Sequence, residues 1–328
     1  MSALAMNKKV FKNYPVLPAE LRMMIVNEMG QNDRCRFTRC STLCNKEAKF
    51  SKNLIKTLSL LDSSEGSIVI EVDFCEWKMN RNYFEGFTLR FYGQDEKKYM
   101  EYENNTSSKI LWTVELEGSM DLAGYARLHF NKLLQSFQKS ITRLRIKSDV
   151  NITSDFEIEN FRDLEELLIR SEADPLQFLT KTRRSLDYLR IHGKEVNQIP
   201  ENCKQIYKVQ RCLTWPHLKL KNEQFLRLSA PYITIHIGEL TVEEIYSFIK
   251  AWQNGTIEKQ GNICTWELQD SDFDVLKLFK LLEADNKDHK YDNDGHCLKF
   301  GHRKDAGKRA AISSYGPQTS LNFQTFDC

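Results

Sequence analysis

The chain has 328 residues, of which 41% are hydrophobic and 11% aromatic, so it is long and apolar enough for one large or two unequal folded domains. Nine scattered cysteines, an odd number, indicate a reducing compartment and not a disulfide framework. No stretch approaches about 18 uncharged apolar residues, and residues 1–12 lack the apolar segment of a signal peptide, so we expect an intracellular protein of the cytoplasm, the nucleus or both, without a membrane span.

The formal net charge of +2 conceals an uneven distribution of charge along the chain. Residues 1–56 contain 11 Lys or Arg and 4 Asp or Glu, so this head is basic. Residues 57–328 contain the other 36 Lys or Arg and 41 Asp or Glu, so the rest of the chain is slightly acidic. A basic head could attract an acidic protein surface or nucleic acid. Its charges interleave with apolar positions, which favours a solvated helix face, and without a long basic run we do not expect nucleic acid as a partner.

The sequence predicts a first helix over residues 18–29. Pro18 suits the first helical position, and Gly30 suits the left-handed position that ends a helix. The apolar face of this helix comprises Leu21, Met24, Ile25 and Met29. A second, less regular segment presents Phe37, Cys40, Leu43 and Cys44. Two or three short helices cannot bury a core alone, so the rest of the chain or another protein must cover them.

The head resembles an F-box, the motif that docks onto the Skp adaptor of cullin-based ubiquitin ligases. The resemblance lies in residues 15–21 with Ile25, and in residues 43–46, whereas residues 34–36 read Arg-Cys-Arg where leucine or isoleucine is usual. The resemblance implies that the adaptor is bound by Pro15, Leu17, Pro18, Leu21, Ile25, Met29, Phe37 and Leu43.

After the head, short β-rich runs predict a small, largely antiparallel sheet. These runs are residues 54–61, 67–74, 87–92 and 110–116, and polar turns separate them. An amphipathic helix is predicted for residues 122–137.

From residue 141 the sequence becomes repetitive. Residues 141–146, 164–169 and 186–191 share an L-x-x-L-x-I type pattern, and Leu144, Leu167 and Leu189 follow one another at intervals of 23 and 22 residues. This is the length of a leucine-rich repeat, and it predicts a β-α solenoid. Looser copies stand at residues 218–220, 232–237, 264–268 and 297–300. Strands that alternate with helices imply a mainly parallel sheet with helices on its outer side.

Two further helices are marked by their capping residues. Thr241 and Glu244 form a capping box before a helix that ends at Asn254-Gly255, and its predicted buried face comprises Val242, Ile245, Phe248, Ile249 and Trp252. Asp272 is the predicted cap of a helix over residues 273–282, whose anchors are Phe273, Leu276, Phe279 and Leu282.

The resemblance extends to this second half. Residues 232–255 look like the F-box-associated domain of the large nematode F-box family, and residues 299–312 are similar to the terminal hairpin of that family. The predicted fold class is therefore α+β or α/β, with a small helical F-box followed by an irregular leucine-rich-repeat-like solenoid. Its parts are an F-box-like module at 11–55, a β-rich connecting part at 56–140, the repeat-like associated domain at 141–312 and a C-terminal tail at 313–328.

No motif in the sequence predicts catalysis, a cofactor or a metal. Residues 301–308 suggest a phosphate loop, but five residues instead of four separate Gly301 from Gly307, and Arg309 replaces the Ser or Thr that should follow Lys308. Cys35, Cys40 and Cys44 lack a nearby fourth ligand and are better explained as small core residues. We therefore expect a non-catalytic protein.

Two functional hypotheses remain from the sequence. As the resemblance implies, the first is the substrate-recognition subunit of a Skp–cullin–F-box ubiquitin ligase, whose protein target is unknown and would bind the strand face or loops such as 194–214 and 283–296. The alternative is a non-catalytic scaffold without a ligase role, in which the head folds back onto residues 57–140.

Overall fold

The computed structural model of the protein describes most of the chain after the head. The described residues are 22, 25, 26, 29, 37, 44, 55–73, 86–105, 108–137, 140–150, 161–171, 173–193, 195–256, 263–269, 271–285, 290–291, 297–301, 307–315 and 320–327. The chain divides into two units, Met1–Asp163 and Leu164–Cys328.

The first unit contains a mixed sheet and one long helix. Its strands are β1 (Thr57–Asp62), β2 (Ile68–Asp73), β3 (Gly86–Gln94), β4 (Lys97–Asn104), β5 (Lys109–Glu115) and β6 (Arg143–Lys147), and its helix is α1 (Leu122–Phe137). Strands β1 to β5 pair antiparallel in chain order, and β6 pairs parallel with β1. The predicted antiparallel sheet is thus confirmed, although β4 was not predicted.

Helix α1 supplies the apolar layer of this first unit. Its buried side chains include Ala126, Phe130 and Leu134, which recur every four residues on one side of the helix. On the sheet, Phe91 of β3 is fully buried, and its ring centroid lies 5.5 Å from that of His129 on α1. The predicted amphipathic helix over residues 122–137 is therefore confirmed.

The second unit alternates strands with short helices and then ends in antiparallel strands. Its strands are β7 (Glu166–Ile169), β8 (Tyr188–Ile191), β9 (Cys212–Lys219), β10 (Tyr232–His236), β11 (Ile263–Glu267), β12 (Lys290–Tyr291), β13 (Cys297–Gly301), β14 (Lys308–Tyr315) and β15 (Ser320–Asp327). Its helices are α2 (Pro175–Leu179), a 3-10 helix (Glu201–Lys208), α3 (Asn222–Phe225), α4 (Val242–Gln253) and α5 (Val275–Asp285).

Strands β7 to β11 pair parallel in chain order and form the regular part of this sheet. Equivalent apolar residues pair across all five strands, in the order Leu167, Leu189, Leu213, Ile233 and Cys264. All five are buried. The leucines that the 22-residue interval singled out therefore occupy the same inward position in neighbouring strands.

The remaining strands of the second unit are antiparallel. Strand β15 lies between β11 and β14, and β13 and β12 follow β14 outward. The hairpin predicted for residues 299–312 is present as β13 and β14. The segment that the sequence suggested as a C-terminal tail instead contains β15, whose Leu321 and Phe323 are fully buried. The fold is thus α+β with an open, mixed sheet that is parallel over β7–β11, and the leucine-rich-repeat solenoid stays a prediction.

Helix α4 forms as its sequence predicts. Thr241 Oγ1 accepts the Glu244 N–H at 3.2 Å, and a Glu244 carboxylate oxygen accepts the Thr241 N–H at 2.8 Å, so the capping box is complete. Asn254 ends the helix, and Gly255 adopts a φ of +64°. All five predicted face residues are buried.

Helix α5 differs from its prediction in phase. The predicted cap was Asp272, but Asp274 Oδ1 accepts the Lys277 N–H at 2.9 Å and the helix begins at Val275. Leu276, a predicted anchor, is 62% exposed. Phe279 and Leu282 are buried as predicted, but Val275 and Leu278 complete the inward face in place of Phe273 and Leu276.

Candidate functional site

The described residues of the head form a small apolar cluster. Val26, Phe37 and Cys44 are 0%, 1% and 4% exposed, and Met29 packs against them. The Met29 N–H donates to the Ile25 carbonyl at 3.1 Å, as in a helical turn. Ile25, the immediate neighbour of Val26, is 39% exposed. The first helix therefore directs Val26 inward and leaves much of Ile25 accessible.

The structure distinguishes among the residues expected to bind an adaptor. Ile25 is accessible, whereas Phe37 is buried within the head cluster and Met29 is partly buried against it. The other expected residues, Pro15, Leu17, Pro18, Leu21 and Leu43, lie outside the described residues, as do Cys35 and Cys40. Cys44 is a small core residue, as expected.

A second candidate site is the outward face of strands β7–β11. Along β8, Leu189 and Ile191 are fully buried, whereas Tyr188 and Arg190 point to the other side and are half-buried. The same alternation in the neighbouring strands produces two outward rows. One row comprises Glu166, Tyr188, Cys212, Tyr232 and Ile263, and the other comprises Leu168, Arg190, Thr214, Thr234 and Thr265. We name these two rows the open face.

Helices α3 and α4 pack on the opposite, inward side of the strands. The Phe248 ring of α4 lies 5.1 Å from Phe225 of α3, 6.0 Å from Trp266 of β11 and 5.7 Å from Phe323 of β15, measured between ring centroids. Trp266 and Phe323 belong to the inward rows and are fully buried. The inward rows are thus apolar and buried, whereas the open face carries three threonines, two tyrosines, an arginine, a glutamate and a cysteine. Its two aliphatic members are Ile263 and Leu168, and Leu168 is itself buried.

Tyr188 organises the charges at one end of the open face. The guanidinium carbons of Arg190 and Arg211 lie 5.4 and 5.8 Å from the centroid of its ring. Arg211 also donates to the Tyr188 hydroxyl at 3.3 Å and forms an ion pair with Asp187 at 3.4 Å. A tyrosine ring between two guanidinium groups gains cation–π attraction from each of them, which orients the arginine side chains.

Positive side chains also surround His192, which follows β8. Partial burial lowers the pKa of His192, and the positive charges of Arg170, His217 and Arg190 lower it further. Because each of these charges disfavours the imidazolium form, His192 is mainly neutral at pH 7. It can therefore accept or donate a hydrogen bond beside permanent positive charge.

The thiols of the second unit occupy two kinds of environment. Burial raises the pKa of Cys264 to about 12 and that of Cys203 to about 11. Cys212 belongs to the open face and is half-buried, and its sulfur lies 3.4 Å from the Thr214 hydroxyl oxygen.

Within the described residues, no three His, Cys, Asp or Glu side chains converge on a possible metal position. The open face is therefore suited to recognition through stacking, hydrogen bonds and charge.

The residues of the open face were not singled out individually from the sequence. The signal that could have found them is the alternation inside each repeat, because Arg190 stands between the inward Leu189 and Ile191. Of the expected binding loops, 194–214 contains the 3-10 helix and the start of β9, while 283–296 lies largely outside the described residues.

Comparisons with known proteins identify no relative: no family model, no curated protein and no solved structure matches the chain. Among the described residues, no helix is long and apolar enough to cross a membrane.

Proposed function

We propose that the chain is the substrate-recognition subunit of a Skp–cullin–F-box ubiquitin ligase. The head binds a Skp-type adaptor and, through it, a cullin scaffold, while the open face holds a target protein. The observation that carries this proposal is the one-sided packing of β7–β11, because it leaves a broad outward strand face of a folded sheet to contact a partner.

The head supports the proposal through the position of Ile25. Its side chain is 39% exposed beside the buried Val26, Phe37 and Cys44, and it belongs to the part of the sequence that resembles an F-box. Phe37 then acts from inside the head, by holding the two helical segments together, and Ile25 contacts the adaptor directly.

In this role the protein performs no covalent chemistry. It holds a target near a ubiquitin-conjugating enzyme that the cullin scaffold carries, so the effective concentration of a target lysine at that enzyme rises. Both surfaces must be occupied at once, which requires the adaptor site and the target site to be separate parts of the chain.

Co-expression with a Skp-type adaptor, followed by size-exclusion chromatography, tests this proposal. We expect the full chain to elute with the adaptor, and Ile25→Asp to abolish co-elution because it places a charge in an apolar contact. The matched control is Leu276→Asp, which makes the same change at another exposed position, 62% exposed on α5, and should leave co-elution intact. If the wild-type chain does not elute with the adaptor, the ligase role is wrong and the scaffold hypothesis takes its place.

A further inference from the structure

One end of the open face carries two arginines, which supply its positive charge, together with two histidines, of which His192 is mainly neutral at pH 7. We define the cationic patch as Arg170, Arg190, His192 and His217. Arg190 lies on β8, while Arg170 and His192 directly follow β7 and β8 at the same edge of the sheet, and His217 lies near the end of β9. The His192 N–H donates to the Ile169 carbonyl at 2.7 Å, and the Val196 N–H donates to the His217 carbonyl at 3.1 Å, so the ends of β7, β8 and β9 lie side by side. The four groups therefore share one region, and the other three lower the pKa of His192 in addition to its partial burial.

The arginines of the cationic patch have no ion-pair partner among the residues that the structure describes. Within the described part of the chain, neither Arg170 nor Arg190 forms an ion pair. The first unit provides a contrast: burial raises the pKa values of Glu71 and Asp73 on β2, and the positive charge of the nearby Arg145 on β6 partly offsets this rise. Arginine can thus lie beside acids on a strand face of this protein, whereas no carboxylate of the described residues lies within ion-pair distance of Arg170 or Arg190.

Carboxylates lie at both ends of the same strands. Glu166 opens β7 on the open face, and Asp187, immediately before β8, forms the ion pair with Arg211. At the edge of the cationic patch, Glu195 forms an ion pair with Lys219 of β9 at 2.9 Å, so its charge is balanced there, whereas Glu166 and Asp187 lie at the start of their strands. A long phosphate backbone laid along the strands would meet these carboxylates, whereas a short acidic segment can occupy the cationic patch alone.

The aromatic side chains favour a protein segment over a simple anion. Tyr188 lies beside Arg190, and Tyr232 of the same row is 48% exposed. Cys212 pairs with both tyrosines in the strand register, so it lies between them. Tyrosine rings provide a flat apolar surface with a polar edge, next to guanidinium groups that can bind carboxylates with two hydrogen bonds.

We propose that the open face binds a short segment of a target protein that is rich in Asp and Glu, with its carboxylates on Arg170 and Arg190 and an apolar side chain on Tyr188. This proposal rests on the proposed role of the open face as the target surface. It does not depend on whether the head binds the adaptor.

Fluorescence anisotropy with the full-length protein at low salt tests the proposal. The probe is a fluorescein-labelled peptide of six glutamates followed by a phenylalanine, and the reference peptide has glutamines in place of the glutamates. We expect the glutamate peptide to bind at least about tenfold more tightly than the reference, and Arg170→Gln/Arg190→Gln to remove this difference. The matched control is Lys181→Gln/Arg183→Gln, which removes the same charge from the turn after α2 and should change the affinity by less than about twofold.

A second readout comes from Cys212. Its alkylation by iodoacetamide, followed by peptide mass analysis, should slow when the glutamate peptide is bound, because the peptide would cover the neighbouring Tyr188. Three outcomes would overturn the proposal: equal binding of the two peptides, unchanged affinity in the Arg170→Gln/Arg190→Gln variant, or tighter binding of a single-stranded DNA oligonucleotide of similar charge.

The adaptor experiment separates this inference from the proposed function. Arg170→Gln/Arg190→Gln should still elute with the Skp-type adaptor, and Ile25→Asp should still bind the glutamate peptide. Failure of peptide binding with co-elution intact overturns the acidic-target inference alone. Failure of co-elution with peptide binding intact overturns the ligase role and leaves the acidic-segment site standing.

Discussion

Gly193 lies directly against the backbone of Ser171, so that a Cβ atom on Gly193 would stand 2.2 Å from the Ser171 carbonyl oxygen. No side chain tolerates that distance, and the neighbour is backbone that cannot rotate away. The two residues follow β8 and β7, and the adjacent His192 N–H donates to the Ile169 carbonyl at 2.7 Å. The close approach of these two chain segments therefore requires glycine at position 193.

Gly193→Ala should destabilise the protein by about 1–3 kcal/mol, because the strand ends must separate to admit the methyl group. We expect a fall of several degrees in the thermal midpoint, measured by circular dichroism. The matched control is Gly301→Ala, where a Cβ would meet no atom within 4 Å. An unchanged midpoint for Gly193→Ala would show that the two segments do not approach as described.

The phase of α5 gives a second prediction. Leu278 is fully buried and Leu276 is 62% exposed, although both are leucines of the same helix. Leu278→Ala should cost about 2–5 kcal/mol of unfolding free energy through the lost burial and the cavity. Leu276→Ala should stay within about 0.5 kcal/mol. Chemical denaturation of both variants measures the two losses of unfolding free energy. A larger loss for Leu276→Ala than for Leu278→Ala would instead support the helix face predicted from the sequence.

Thiol reactivity gives a third prediction. The thiolate is the reactive form of cysteine, and burial raises the pKa of Cys264 to about 12 and that of Cys203 to about 11. Both should resist iodoacetamide at pH 8, while Cys212 on the open face reacts. Mass analysis of the labelled peptides over time gives the alkylation rate of each of the three cysteines. Unfolding in denaturant should make these three rates similar. Rapid labelling of Cys264 in the native protein would contradict its burial.

His192 gives a prediction about pH. Its pKa is lowered in the folded protein by partial burial and by Arg170, His217 and Arg190, so the unfolded chain binds the proton more tightly. The contribution of His192 to stability is therefore complete above the ordinary histidine pKa of about 6.5, and it is lost as the pH falls through the lower pKa of the folded state.

A histidine NMR titration measures this effect directly. The His192 signal should titrate below pH 6.5, the value of an unperturbed histidine, and Arg190→Gln should move the midpoint upward by removing one positive neighbour. Arg183→Gln, which removes an exposed positive charge that does not influence His192, serves as the control. A midpoint at or above the ordinary value would show that carboxylates, and not arginines, surround His192.

The elements predicted correctly are those whose signals are local. The capping box at Thr241 and the glycine at position 255 lie within a few residues of the helix they bound, and α4 has the predicted limits and face. Helix α5 has two aspartates in its first turn region, Asp272 and Asp274, and the sequence alone does not distinguish which of them caps the helix. The sequence prediction placed Leu276 on the buried face, where it does not lie, whereas Phe279 and Leu282 are buried as predicted.

The elements missed depend on distant partners. Strand β4 is rich in Lys and Glu, and only its antiparallel pairing with β3 shows that Met100 and Tyr102 face inward. Strand β15 alternates apolar Leu321 and Phe323 with polar residues, but its place beside β11 is set by contacts more than fifty residues away in the chain. Local periodicity contains no information about such pairings.

The same limit applies to the candidate sites. The repeat interval predicted where Leu189 would lie, and therefore implied that Arg190 points outward. It did not indicate that Arg170, His192 and His217 would converge beside Arg190, because each belongs to a different strand or loop. In the head, the sequence identified Ile25 as part of an apolar face, but the inward orientation of Val26 and Phe37 required the packed structure.

The position of β15 has a consequence for synthesis of the protein on the ribosome. Strand β11 ends at Glu267, and its neighbour β15 is complete only at Asp327, so one edge of the parallel strands lacks its partner until sixty further residues have been added. At about 5–20 residues per second, this interval lasts roughly 3–12 s. During that time the edge of β11 can pair with other nascent chains. We therefore expect that the newly made protein folds efficiently only when chaperones shield this edge until translation finishes.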